Sequence, residues 1–303
     1  MERSLRNRLT YGPIMLAGLF LLLWLDYQAQ HWTVGAYRYR NQPQGVAGIG
    51  LMLMLLIILP GATVELAHLF AAERVRPYRL IAATGAGALV VHAFATQFPR
   101  FQPIAASTLA FIVVFVMLAA ALARASTRQT QDAIVHMAGT VLSTLYLGGL
   151  AWFLVALRVK GAEHVRGSTM LILMVLLCVK FTDIGAYFGG RALGRRKLIP
   201  WLSPGKTWEG LFFGLLTAAA VGAACATQID VRSGYSLPWW KGAIFGAVIG
   251  GIGQLGDLLE SLMKRDAEVK DSGRLIPGFG GVLDVIDSPL LAAPFAYLLF
   301  SLF

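Results

Sequence analysis

The residues able to do chemistry are concentrated between Gly253 and Pro289, in GQLGDLLESLMKRDAEVKDSGRLIPGFGGVLDVIDSP. Carboxylates, lysines, arginines and a glycine-rich turn crowd there between two apolar segments. Charged side chains at a membrane are expensive to keep and usually persist because they do something. Asp257, Asp284 and Asp287 are oxygen donors suited to a hard divalent cation. Donors on more than one element are what Mg2+ on a nucleotide phosphate needs. Asp284 and Asp287 are three apart and would share one helical face. Asp257, Glu260, Ser261 and Lys264 also follow helical spacing at the end of an apolar run. The same pattern suits a cytoplasmic loop laced with ordinary ion pairs, because two carboxylates at that spacing are a weak signal.

A second polar stretch, LCVKFTDIGAYFGGRALGRRKLIPWLSPGKTWEG, follows an apolar run. Lys180 and Asp183 fall on one face close to the end of that run, as a mutual pair or a site facing water. Gly185, Gly189, Gly190 and Gly194 loosen the chain as it leaves the membrane. Within SPGKTWEG, Ser203 is expected to cap a helix and Pro204 to take its first position. Lys206 and Thr207 would then lie in the first turn, where free N–H groups and the helix dipole favour an anion such as phosphate. A Walker A loop is absent, since GxxxxGK[ST] does not occur. A plain helix start fits the same residues.

The elements that must position these residues are helices in a bilayer. Of 303 residues, 57% are hydrophobic and 14% charged, whereas a soluble domain carries roughly 45–50% and about 25%. Apolar runs of about 20 residues recur from end to end, so the chain reads as an all-α, polytopic membrane bundle in one domain, 1–303. About nine spans are expected, near 11–27, 45–69, 80–98, 104–123, 134–157, 168–188, 209–228, 240–263 and 288–303. The run after MERSLRNRLT lacks a good small-residue cleavage site and is expected to stay as the first span. Gly242, Gly246 and Gly250 recur every fourth residue and give one helix a face that another backbone can approach closely.

The net charge of +10 does not imply nucleic acid. The basic residues sit in short loops, where membrane topology and anionic lipid account for them. With the N-terminus inside, the cytoplasmic loops hold roughly twice as many lysines and arginines as the outer ones, where Arg38, Arg40, Arg158 and Arg232 fall. Both polar stretches are then cytoplasmic. Cys178 and Cys225 lie in apolar runs and read as small packed residues. In the first spans, Glu65 and His68 share a helical face, either lining a polar cavity or forming an interfacial pair. His92 and His136 are expected to be packed.

The segment SLMKRDAEVKDSGRLIPGFGGVLDVIDS resembles the signature of the phosphatidate cytidylyltransferase family. That pattern runs S-x-x-K-R-x-x-x-x-K-D, then P-G-H-G-G-x-x-D-R-x-D. Ser261, Lys264, Arg265, Lys270, Asp271, Pro277, Gly278, Gly280, Gly281, Asp284 and Asp287 fit it. Phe279 stands where the family has His, and Val285 where it usually has Arg. DIGAYFGGRALGRRKLIPWLSPGKTWEG is similar to the family's other stretch. The resemblance covers 140–290, while 1–130 is similar only in being hydrophobic.

The resemblance implies a reaction of CTP with phosphatidate to give CDP-diacylglycerol and pyrophosphate, using Mg2+ and with room for a second mono- or divalent cation. It implies a catalytic set of Asp257, Asp284, Asp287, Lys264 and Lys270, with the three aspartates on the metal. It implies a nucleotide set of Ser203, Lys206, Thr207, Glu209, Asp183 and Arg191. A bacterial inner membrane, a cytoplasmic site, membrane lipids as surroundings and a homodimer complete the expectation. A CTP-dependent lipid or polyprenol kinase, and a cation-coupled transporter or inactive paralogue, remain as other readings.

Overall fold

The computed structural model describes residues 2–34, 45–166, 168–231 and 237–302. Among the described residues, ten α-helices run in order: α1 Glu2–Thr33, α2 Ile49–Ala72, α3 Arg79–Ala95, α4 Ala105–Ser126, α5 Ala133–Thr144, α6 Leu150–His164, α7 Thr169–Leu193, α8 Trp208–Ala226, α9 Trp239–Asp266 and α10 Leu283–Leu302. A π-helical turn, Leu145–Gly149, makes α5 and α6 one continuous rod. The strands among the described residues are short: β1 Val165–Arg166, β2 Lys197–Ile199, β3 Ser203–Thr207 and β4 Asp230–Val231. They form two antiparallel pairs, β1 with β4 and β2 with β3. The fold is therefore helical, as composition requires, with one hairpin, β2–β3, and one short strand pair between segments distant in sequence, β1–β4.

Eight helical stretches among the described residues are long and apolar enough to cross a bilayer. The third expected span corresponds to α3, which has 17 residues. At 1.5 Å per residue it is about 25 Å long, short of a hydrocarbon core of about 30 Å. The loop charges assigned to Arg38, Arg40 and Arg232 lie outside the described residues. Two boundaries differ from expectation. α10 begins at Leu283 instead of near 288, which puts both Asp284 and Asp287 in its opening turns. The stretch Ser203–Thr207 is a strand, and α8 starts only at Trp208.

The chain divides into two compact units. The first joins Met1–Val159 to Asp266–Val285. Leu55, Leu59, Leu66, Leu89, Leu147 and Leu157 form its core. Its helices are also tied by polar contacts. Arg158 Nε donates to Asp26 Oδ2 at 2.7 Å with both side chains fully buried. Gln30 Oε1 accepts from Arg158 at 2.8 Å, and Gly50 N–H donates to Asp26 Oδ1 at 2.9 Å. His92 takes the Trp152 indole N–H on Nδ1 at 2.9 Å and meets the Ala105 carbonyl through Nε2 at 2.8 Å. His136 Nδ1 accepts the Arg76 N–H at 3.2 Å. Both histidines are packed tethers.

The second unit joins Lys160–Arg265 to Ile286–Phe303. Small residues let its helices approach almost backbone to backbone. A Cβ on Gly214 of α8 would sit 2.8 Å from the Thr182 carbonyl of α7. Gly242 and Gly246 of α9 face Gly222 and Ala218 of α8, and Gly250 faces Thr182 of α7. Gly256 packs against Ser288 and Leu291 of α10. Without a hydrophobic drive between helices in lipid, such close packing holds a bundle together. It also fixes the polar ends of α7, α8, α9 and α10 in the second unit.

Candidate active site

In the second unit, Asp257 and Glu260 lie one turn apart on α9, and Asp287 comes from α10. Each offers a carboxylate oxygen within 4.8 Å of the others. Glu260 and Asp287 are buried, whereas the Asp257 side chain is 40% exposed. Like charges this close need cations. Lys206 Nζ on β3 lies 2.6 Å from Asp257 Oδ2, and Lys264 Nζ lies 3.0 Å from Glu260 Oε2. Next to them, Gln254 Nε2 donates to Asp183 Oδ1 of α7 at 2.6 Å. Lys206 also reaches the Gln254 carbonyl at 3.5 Å. Lys180 and Lys206 both act electrostatically on Asp183. Four helical or strand elements thus deliver four carboxylates and their ammonium partners to one place.

The donor set fits a hard cation. It offers only oxygen atoms, with no thiolate or imidazole to favour zinc. Oxygens sharing one octahedral Mg2+ at about 2.1 Å lie no more than about 4.2 Å apart, on the same scale as a cluster whose oxygens all fall within 4.8 Å of one another.

The hairpin that carries Lys206 is built differently from a helix start. Thr207, extended at φ −130° and ψ 155°, is the residue that caps α8, and its hydroxyl accepts the Gly210 N–H at 3.1 Å. A cap needs a side-chain oxygen on an extended residue just before the helix, and Thr207 meets that four positions after Ser203. Glu209 in the first turn reaches back, and one of its oxygens takes the N–H groups of Arg195 at 3.1 Å and Arg196 at 3.2 Å. Ser203 pairs with Ile199 and Lys206 extends from the strand, so neither lies in a first turn. Arg191 is exposed and donates to the Tyr187 hydroxyl at 3.1 Å. A groove is lined by Leu193, Arg196, Trp208, Glu209, Phe212 and Phe213.

Asp284 has a setting of its own in the first unit. Its Oδ2 accepts from Ser272 N at 2.9 Å, Ser272 Oγ at 2.9 Å and Gly281 N at 2.7 Å. Lys270 is exposed in the preceding loop. The turn between them uses Gly278 and Gly280 at φ +86° and +100°, a conformation that glycine adopts without strain. Phe279 is 37% exposed, and its ring lies beside Gly12 of α1.

Three residues stand out that the sequence did not single out for a site. Glu260 was visible as a helical neighbour of Asp257. Gln254 sits three residues before Asp257 and carried no charge to mark it. Glu65 and His68 share a helix but not an environment: His68 is exposed, whereas Glu65 is 5% exposed. Its carboxylate accepts the N–H groups of Val282 at 3.0 Å and Leu283 at 2.8 Å. No short-range pattern marks a contact so distant along the chain.

A family model described as the cytidylyltransferase family matches residues 45–303. The chain belongs to that family. Among curated cytidylyltransferase relatives, it is 41% identical over 144 residues to the phosphatidate cytidylyltransferase of Brucella suis biovar 1 (strain 1330), covering 48% of this chain and 51% of that protein. It is 44% identical over 122 residues to that of Bacillus subtilis (strain 168), covering 40% and 44%. It is 46% identical over 130 residues to that of Haemophilus influenzae (strain ATCC 51907 / DSM 11121 / KW20 / Rd), covering 41% and 43%. The chain thus spans about half the length of the curated relatives it matches.

Proposed function

We propose that this cytidylyltransferase-family protein transfers the cytidylyl group of CTP to phosphatidate, giving CDP-diacylglycerol and pyrophosphate. The observation that carries the reading is the meeting of Lys206 with the Asp257, Glu260 and Asp287 cluster. Attack of a lipid phosphate on the α-phosphorus of CTP brings two anions together. Such a reaction rests on charge neutralisation and alignment, with no nucleophilic side chain required.

Asp257 and Asp287, with Glu260, would hold Mg2+, and Asp284 keeps the metal role that the resemblance implies. Bound there, a hard cation supplies charge neutralisation at the phosphate oxygens. Lys206 is positioned to exchange its carboxylate partner for a nucleotide phosphate, and Gln254 keeps Asp183 beside it. Thr207 and Glu209 shape the hairpin that presents Lys206. Ser203 and Arg191 belong to the nucleotide side of this reading. Lys264 and Lys270 would meet the lipid phosphate or the departing pyrophosphate. The acyl chains have no reason to leave the bilayer. The N-terminus lies inside and the site faces the cytoplasm of a bacterial inner membrane, where CTP is available.

The test is incubation of purified protein with labelled CTP, phosphatidate and Mg2+. CDP-diacylglycerol with pyrophosphate is the expected product pair. Release of CDP with a phosphorylated lipid alcohol would make the protein a kinase, and no turnover of CTP would remove both chemistries.

Lys206→Ala should mainly raise the KM for CTP. A hydrogen bond to a charged group is worth about 1.5–3 kcal/mol, so the rise should be roughly tenfold to a hundredfold. A change confined to the KM for phosphatidate would move Lys206 to the lipid side. Phe279 and Val285 should not prevent turnover, because metal and positioning dominate such transfers. The double change Phe279→His with Val285→Arg is expected to alter the rate by less than about tenfold. A parent protein indistinguishable from the no-enzyme control, rescued by the double change, would contradict this.

A further inference from the structure

We propose that Glu65 is a positioning residue for the cytidylyl transfer, acting through the turn that carries Asp284. The inference rests on the reaction proposed above. Glu65 sits on α2, in a helix that is otherwise almost entirely apolar, and is 5% exposed. Its two oxygens take different donors: Oε1 accepts Val282 N–H at 3.0 Å and Oε2 accepts Leu283 N–H at 2.8 Å. Asp284 Oδ2 takes the amide just before them, Gly281 N–H, at 2.7 Å. Three successive amides at the opening of α10 are therefore shared between two carboxylates. Two of them, on Val282 and Leu283, are among the groups that a helix start leaves without partners inside the helix.

Ser272 connects the two acids. Its hydroxyl lies 2.9 Å from Asp284 Oδ2 and 3.4 Å from Glu65 Oε2, and its own N–H donates to Asp284. Gly273 and Gly281 give a second, independent sign that the turn is built around Glu65. An added Cβ at either position would overlap the Glu65 carboxylate. The last glycine of the GFGG turn, Gly281, is thus explained by an acid more than two hundred positions earlier in the chain.

Only a carboxylate satisfies this arrangement. A glutamine has one accepting oxygen and must turn its NH2 toward one of the two amides. The dipole of α10 also favours a full negative charge at its start. Loss of the clamp frees residues 281–283, and Asp284 moves with them. Glu65 touches no reacting atom in this account; it holds the backbone that aims another carboxylate.

The experiment uses full-length protein in nanodiscs and compares wild type with Glu65→Gln. It measures kcat, the KM for CTP, and backbone hydrogen exchange along the chain. The expected result is a kcat at least about tenfold lower, the usual scale for removing an outer support of a metal site. The KM for CTP should stay within about twofold of wild type. Exchange should rise at 272–285 and stay unchanged in α8 and α9. Wild-type kcat with unchanged exchange at 272–285 overturns the inference. So does a loss of protection throughout the first unit, which would assign Glu65 to general stability. If Glu65→Gln does not fold, Glu65→Asp keeps the charge and should show the same local rise in exchange with a smaller loss of kcat. Failure of both to fold again assigns Glu65 to stability and overturns the inference. A wild-type protein that makes no CDP-diacylglycerol defeats the functional reading instead, while the exchange measurement still reports on the clamp.

Discussion

Asp257→Asn and Asp287→Asn proteins are expected to fold and to lose the proposed cytidylyl transfer by at least about a hundredfold. The amide keeps the shape of the side chain but removes the charge. At Asp257 it also removes the partner of Lys206, 2.6 Å away, and at Asp287 it removes a buried member of the three-carboxylate cluster. A hard cation depends on charged oxygen donors, so the Mg2+ needed for half-maximal rate should rise in both variants. Asp284→Asn should lose turnover as well, but with a different signature. Its Oδ2 holds Ser272 and Gly281, so the variant should also loosen the 272–281 turn. Rates near wild type with an unchanged Mg2+ dependence, in a protein that elutes and melts normally, would show that these acids are not ligands.

The sequence made the helical membrane fold legible because each apolar run carries its own signal. Hydrophobic length is a local property, and so is the four-residue glycine period that places Gly242, Gly246 and Gly250 against α7 and α8. The hairpin was harder to see. Ser203 and Pro204 have the right chemistry to open a helix. Thr207 has it too, and here it is coupled to Glu209, whose oxygens hold the backbone of Arg195 and Arg196. That coupling spans more than a dozen residues, outside the reach of a capping pattern. The start of α10 was misplaced for a related reason. Leu283 can begin a helix because Glu65 and Asp284 satisfy the amides before it, and Glu65 lies on another helix. Glu260 and Gln254 became visible as parts of the cluster only when α9 was set beside α7, α10 and the hairpin. Charge type and spacing indicated a place for chemistry. Packing decides which side chains share it.

The largest stability effect is expected at Asp26 and Arg158. Both side chains are fully buried, and the guanidinium Nε lies 2.7 Å from the carboxylate. Arg158 also donates to Gln30 Oε1 at 2.8 Å, and Asp26 accepts Gly50 N–H at 2.9 Å. The pair therefore joins α1 and α6, and Asp26 also anchors the start of α2. Arg158 falls in a segment that loop counting had put on the outer side, yet it is inside the first unit. Removing one partner leaves the other charge buried without compensation, which costs about 3–5 kcal/mol. Arg158→Ala and Asp26→Ala should each lower the melting temperature in detergent by on the order of 10 °C. Replacing both should behave differently. Asp26→Leu with Arg158→Met removes two desolvated charges together, and such swaps are often neutral or stabilising. The double variant should melt within a few degrees of wild type, less a small loss at Gly50 N–H and Gln30. Turnover should follow stability in all three variants, because these residues have no role in the proposed chemistry. Single variants that melt like the wild type would mean that solvent or a neighbouring group already compensates the charges. A double variant less stable than either single one would mean that the pair contributes net stability.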